Sequence, residues 1–346
     1  MPVSTEQTAV DAAGFAGRDV TVRSSAVLDL NVVKVRLMSN QEDFAGFSYF
    51  SAFADPATEA DFEIVCVDLD RDPYDTEPLA AASDRTFRAK RFRTGFYLVH
   101  FFGAPAYLIT RGRRFHVFGH RLEKTVWPYF VKYILTMHAV DHGMLHLKSA
   151  GFAHDDGSAT LLVGRQGGGK TVFLAQACLA GADFLANTHV LVDDGVAHGV
   201  HTAMRIRADA CFGDLIKAHD LTPHIESGDH VVSPHDLFEG RTTPRAPVRN
   251  IVLADFDPSR PRGLEETTPQ AMTAFLTQFS SALTMYGLKD DLYDHCGKDL
   301  ETYTRAHEAM ARRLSRLVHG ARLFRANVDM LDARTRDDTL ARLAGR

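Results

Sequence analysis

The chain has little cysteine and no pattern in what it has. Its 346 residues contain four, Cys66, Cys178, Cys211 and Cys296, far apart and without a C-x-x-C pair. That suits a reducing compartment better than a disulfide framework. Long apolar runs are missing too: the most apolar window, residues 95–110, is broken by His100 and Pro105 and is too short to span a bilayer. The opening stretch, MPVSTEQTAVDAAGFAG, is small and polar and has none of the apolar core of a signal peptide. Positive charge is not in excess, since 39 Lys and Arg face 44 Asp and Glu for a formal charge of −5. This balance gives no reason to expect nucleic acid or an anionic membrane as partner. No G-x-S-x-G elbow or Cys–His signature occurs, so covalent hydrolase chemistry has no support. There is no internal repeat and no low-complexity tract. The expectation is a cytoplasmic protein with no membrane and no nucleic-acid partner. With 45% hydrophobic and 24% charged residues, it is ordinary for a globular chain and long enough for two domains.

What is there centres on residues 159–194. Gly164, Arg165, Gln166, Gly167, Gly168, Gly169, Lys170 and Thr171 spell the G-x-x-x-x-G-K-[ST] pattern of a phosphate-binding loop. A short apolar run, residues 159–163, reads as the buried strand ahead of it. Residues 172–179, beginning at Val172, hold no Gly or Pro and read as the helix behind it, with Gly181 as its stop. Glycines let backbone N–H groups close on phosphate oxygens, and the helix N-terminus adds partial positive charge there. Lys170 is placed to reach the β- and γ-phosphates and the Thr171 hydroxyl to ligate Mg²⁺. The spacing predicts a nucleoside triphosphate site for ATP and Mg²⁺.

Around this centre the chain divides near residue 120. Residues 1–20 read as a loose end. Up to about residue 118 the segments at 20–23, 32–37, 62–67 and 97–102 are rich in β-branched and aromatic residues, which predicts a mostly antiparallel β domain. From 121 to 346 the pattern is α/β: a helix over 127–143, a strand over 144–153 leading to the loop, strand-like segments over 187–204, and a loop-rich insertion over 214–247. A strand over 248–254, a helix over 268–288 and a strongly striped helix over 298–318 follow.

The strand–loop–helix–strand unit resembles the kinase domain of HPr kinase/phosphorylase and its relatives, whose fold is related to phosphoenolpyruvate carboxykinase. In that family the loop reads G-x-x-G-x-G-K-[ST], which Gly164, Gly167, Gly169, Lys170 and Thr171 match. The Met204-Arg205-Ile206-Arg207 segment and the run from Pro247 to Leu253 are similar as well, and the resemblance covers about residues 125–285. It implies an α/β fold with a β-rich N-terminal domain, a P-loop kinase domain and C-terminal helices. The activity it implies is ATP-dependent phosphoryl transfer to a small-molecule or peptide acceptor, and a homo-oligomer is compatible with it.

The chain departs from that family at two places. An Asp-Asp pair usually ends the strand after the helix; counting from Lys170 places it on Asn187 and Thr188. Asn187 can offer Mg²⁺ an oxygen but takes no proton. Three readings follow: Asp193 or Asp194 supplies the base, the acceptor is already ionised, or the protein is a nucleotide-binding sensor or scaffold without turnover. The family's His before the loop falls on Lys148, read either as a surface lysine or as a positive charge facing the γ-phosphate or an anionic acceptor. Arg205 and Arg207 are candidates for the acceptor or the transition state, or plain exposed ion-pair partners. His138, His142 and His146 are four apart, as zinc ligands on a helix would be, but Gly143 argues that the helix stops before the third.

Overall fold

The computed structural model describes residues 8–11, 19–87, 106–120, 122, 130–209, 211–223 and 229–345. The strand expected at 97–102 lies outside them. Two compact units divide the chain at Ile134/Leu135, fourteen residues beyond the break in the sequence pattern at 120.

In the first unit β1 (Thr8–Asp11) pairs antiparallel with β2 (Asp19–Val22), so the stretch expected to be a loose end carries a strand. A seven-stranded sheet follows, built from β3 (Ser24–Asp29), β4 (Lys34–Ser39), β5 (Phe53–Ala54), β6 (Phe62–Asp68), β7 (Arg85–Phe87), β8 (Ala106–Arg111) and β9 (Arg114–Gly119) in the order β5-β3-β4-β6-β9-β8-β7. Among the described strands four of its six pairings are antiparallel, as expected, and the two at its centre, β4 with β6 and β6 with β9, are parallel. The central β6 is buried along Ile64, Val65, Cys66 and Val67, and such a continuous apolar run suits a strand covered on both faces. Helix α1 (Thr76–Ala82), capped by Asp75 accepting from the Glu77 N–H, adds Leu79 to the core beside Val65, Val67 and Phe118.

The second unit holds most of α2 (Lys132–Asp141) and a branched sheet. Its strands are β10 (Leu145–Lys148), β11 (Ala150–Ala153), β12 (Ala159–Val163), β13 (Asp183–Ala186), β14 (His189–Asp193), β15 (Val196–Gly199), β18 (Arg245–Ala254), β19 (Gly263–Glu266) and β20 (Arg322–Asn327). A separate ribbon pairs β16 (Met204–Ile206) with β17 (His230–Val232). The ten-residue β18 is the branch. Its first residues, up to Pro247, pair antiparallel with β15, and the rest lies between β12 and β20, parallel to both. The single strand expected over 144–153 is two strands: Ser149 breaks it, β10 pairs with β14, and β11 pairs with β12 and β13.

Alternation along the central strands fills two cores. Leu162, Val252 and Phe324 face α3 (Lys170–Leu179) and α10 (Ala333–Ala344), meeting Phe173, Leu174, Cys178 and Leu343. Leu161, Val163, Ile251 and Leu323 face α6 (Pro269–Phe279) and α9 (Leu300–Gly320), meeting Met272, Leu276, Leu314 and Leu317. Helices therefore cover both faces of a mixed sheet, an α/β arrangement. Each fully buried Leu or Phe contributes about 1.5–3 kcal/mol. The helix expected over 268–288 breaks at Ser280 and Ser281 into α6 and α7 (Ala282–Met285). The insertion carries α4 (Gly213–Ala218) and α5 (Pro234–Leu237), and α8 (Lys289–His295) precedes α9. No helix among the described residues is long and apolar enough to cross a membrane.

Candidate functional site

The parallel strands β12, β18 and β20 end at the same edge of the sheet, the edge at which open α/β sheets bind ligands. The glycine loop leaves the end of β12 there. It lies directly on β18: a Cβ on Gly164 or Gly168 would stand 2.3 or 2.6 Å from the Ala254 carbonyl oxygen, so only glycine fits this contact. Gly169 turns into α3 with φ 83° and offers no side-chain cap. The first-turn N–H groups of α3 are left to whatever anion or water meets them.

Lys170 opens that helix and folds back over the loop, its ammonium donating to the carbonyls of Gly164 and Arg165 at 2.8 Å each. Burial, and then the neighbouring charge of Lys148, push its pKa down to about 8. Burial also lowers Lys148 from its ordinary value. Two half-buried cations held close repel each other, and each disfavours the charged form of the other.

Lys148 stands at the end of β10, opposite His189 of β14. Its main chain is clamped: its N–H donates to the Ser280 carbonyl at 2.7 Å and its carbonyl accepts from Ser280 Oγ at 2.9 Å. Behind it a buried chain of polar groups joins Thr136 Oγ1 to His146 Nδ1 (2.9 Å), His146 Nε2 to His189 Nδ1 (3.0 Å), and His189 Nε2 to the Tyr286 hydroxyl (3.4 Å). Burial raises the Tyr286 phenol well above its usual value, so this chain stays uncharged at its tyrosine end.

Lys148, Gln166, Gly167, Gly169, Lys170, Thr171, Val172, Asn187, Thr188 and Arg205 line one cavity of about 410 Å³. The residues expected from the loop, from the Asn187-Thr188 position and from the Arg205 strand thus come together. Thr188 arrives there because its carbonyl accepts from the Ser149 N–H at 2.9 Å. Arg205 arrives because β16 buries Met204 and Ile206 and turns the residue between them outwards.

Asp193 is not there. It ends β14 at the opposite end of the strand from Thr188, in the hairpin to β15, and lines a different cavity with Asp194, Arg313 and Arg316. At 3.2–3.4 Å per residue the strand carries it roughly 15–20 Å away. The carboxylates on the loop cavity are Asp209 and Asp229, which the sequence reading passed over. Asp209 Oδ1 accepts from the N–H groups of Cys211 (2.9 Å) and Phe212 (3.2 Å), and Asp229 pairs with Arg207 at 3.4 Å. The one signal for Asp229 was its place in the loop-rich insertion; Asp209 had none.

Oxygen donors suited to Mg²⁺, the Thr171 hydroxyl, the Asn187 amide oxygen and these two carboxylates, share the cavity. The histidine trio forms no metal site: α2 ends at Asp141, His142 Nδ1 bonds the His138 carbonyl, and His146 turns inward to Thr136 and His189. Among the described residues the group with metal-ligand spacing is Asp68, Asp70 and His120 in the first unit. There His120 Nδ1 meets Asp70 Oδ1 at 3.0 Å and Asp68 Oδ1 accepts the Asp70 N–H.

Because Lys148 and burial together depress Lys170, Lys148→Met is expected to raise the Lys170 pKa from about 8 towards its ordinary value. The recovery is partial, since burial is the larger cause and remains. A ¹³C NMR titration of the lysine side chains checks it; an unchanged Lys170 midpoint would show that the two ammonium groups do not interact.

No protein-family model matches the chain, and no curated protein matches it significantly.

Proposed function

We propose that this chain is a Mg²⁺- and ATP-dependent phosphotransferase of the kind its glycine loop resembles, a P-loop kinase similar to HPr kinase, acting on a small-molecule or peptide acceptor. The observation that carries the reading is the meeting of Lys148, Lys170, Thr171, Asn187 and Arg205 on one cavity against the loop. A triphosphate entering it exchanges the Lys170 contacts to the Gly164 and Arg165 carbonyls for phosphate oxygens, while the α3 N-terminus faces the same charge. Thr171 and Asn187 are the residues that would hold Mg²⁺, which would supply positive charge against the phosphates. Lys148 and Arg205 supply positive charge where the transferring group and its acceptor meet. A hydroxyl acceptor passes its proton to a carboxylate, and Asp209 or Asp229 takes the part first expected of Asp193.

The second reading, a nucleotide-binding sensor without turnover, draws on Asn187 and Thr188, which put no carboxylate directly after β13.

Purified protein incubated with ATP, Mg²⁺ and a pool of small molecules and peptides, read by mass spectrometry for a phosphate-sized gain, tests the kinase. Lys170→Ala is expected to lower the rate about 10²–10³-fold, the loss typical of one preorganised charge stabiliser. ATP binding with no labelled product from any pool favours the sensor, and no nucleotide binding at all removes both readings.

A further inference from the structure

A second opening adjoins the glycine loop, and its chemistry is the opposite of the first. Val172, Cys211, Phe256, Val328, Met330 and Leu331 form an apolar crevice that begins at Gly168 and Gly169. Apart from Cys211, which precedes α4, its walls come from the three segments that follow the parallel strands: the loop after β12 with the start of α3, the turn after β18 carrying Phe256, and the segment after β20 carrying Val328, Met330 and Leu331.

Two side chains here stay in water although nothing polar recommends it. Phe256 is 37% exposed and Leu331 46% exposed, among the few large apolar residues left so. Both positions are fixed. Asp255, next to Phe256, accepts from Arg325 at 2.7 Å and pairs with Arg260 at 3.1 Å. Asp329 Oδ1 accepts the Leu331 N–H at 3.1 Å, and Asp329 Oδ2 accepts from Arg262 at 3.2 Å. Arg262 in turn sets its guanidinium 6.0 Å from the Phe256 ring centre. Burial first, then the nearby Asp209 and Asp329, raise the Cys211 thiol, so the crevice carries a neutral sulfur on its wall. The opening holds about 90 Å³, room for a flat ring entered by its edge and too little for a sugar and phosphates as well.

The geometry points to this crevice as the seat of the nucleobase of the bound triphosphate, with a purine favoured over a pyrimidine. The inference rests on the nucleotide reading above. Gly169 and Val172 border both openings, so a ligand lying along the loop has its phosphates against Lys170 and its base against Phe256 and Leu331. A larger aromatic face gains more from stacking and from covering apolar carbon, which sets the purine preference. Asp329 and Arg262 at the mouth provide an acceptor and a donor for ring-edge groups.

The test compares the binding of ATP, CTP and inorganic tripolyphosphate, each with Mg²⁺, to wild type, Phe256→Ala, Leu331→Ala and Lys170→Ala by calorimetry. ATP is expected to bind about tenfold or more tightly than tripolyphosphate, with CTP between them, and Phe256→Ala to weaken ATP about tenfold, as loss of one stacking partner does. Leu331→Ala weakens ATP in the same sense. Neither change moves tripolyphosphate beyond about twofold, because a charge-only ligand does not touch the crevice. Both side chains are exposed, so the variants keep the fold. Equal affinities for ATP and tripolyphosphate, or equal losses of the two in Phe256→Ala, overturn the base site while loss of both ligands in Lys170→Ala leaves the phosphate site standing. Failure of wild type to bind either ligand overturns the phosphate site and the base site together.

Discussion

Lys170→Met is expected to make the protein more stable at pH 7 and, on the proposed function, to slow phosphoryl transfer. Burial holds the folded-state Lys170 pKa at about 8, against about 10.5 for a solvated lysine. A cation whose folded pKa lies below its unfolded one is bound more weakly to its proton in the native state, so keeping it charged destabilises the fold below pH 8. The shift corresponds to an upper bound of about 3 kcal/mol. Met fills the same stem volume and needs no charge in that place. It also forgoes two hydrogen bonds to the Gly164 and Arg165 carbonyls, which returns part of the gain, so at most about 2 kcal/mol remains.

The sign of the pH dependence separates this account from a packing effect. Between pH 8 and 10.5 the unfolded chain binds the Lys170 proton and the native chain does not. Wild-type stability therefore gains from this residue as pH rises through that window, and the Lys170→Met protein lacks the gain. Denaturant melts of both proteins at pH 7, 8, 9 and 10 measure it. Converging curves, with the advantage of the variant shrinking towards pH 10, are the expected result; a variant less stable at every pH would show that the lysine is not held at a cost. A site kept electrostatically uncomfortable until its anion arrives is the stability–function exchange common at binding sites.

The second large effect concerns the proton acceptor. Asp209→Asn and Asp229→Asn each leave the shape of the loop cavity nearly unchanged, and the one that removes the base is expected to lower turnover about 10²–10⁴-fold. Asp193→Asn is expected to leave turnover within about twofold, since Asp193 sits in the β14–β15 hairpin by the other cavity. Binding of ATP measured alongside keeps binding and chemistry apart: a base variant loses rate with its nucleotide affinity intact. Because Asp229 pairs with Arg207 and Asp209 anchors the Cys211 and Phe212 N–H groups, thermal melts of both variants identify any loss that is only structural. If neither variant slows the reaction, the acceptor arrives already ionised and needs no base.

Much of this arrangement was legible in the sequence, and the reason is local. A strand, a glycine-rich turn and a helix N-terminus are contiguous in the chain, so residues 159–179 declare the loop, Lys170 and Thr171 by spacing alone. Leu161, Leu162 and Val163 are all buried, and their unbroken apolar run already required cover on both faces. The heptad-like stripe of α9 was equally plain, because helical period is a property of one segment.

What the chain did not disclose depends on strand direction and on pairings between distant segments. Asp193 is six residues from Asn187 and looked like its neighbour, but an extended strand turns closeness in sequence into separation in space. Lys148 and Lys170 are 22 positions apart, and nothing local says that β10 ends beside the glycine loop. That neighbourhood follows from the pairing of β10 with β14 and of Ser149 with Thr188. Ser149 splitting one apolar run into two strands, Asp209 and Asp229 meeting the loop cavity, and Phe256 and Leu331 converging on its other side are all products of the sheet order. The sequence by itself determined the glycine loop between strand and helix; the tertiary structure decided which charges, carboxylates and apolar faces surround it, because those interactions join segments that the chain keeps far apart.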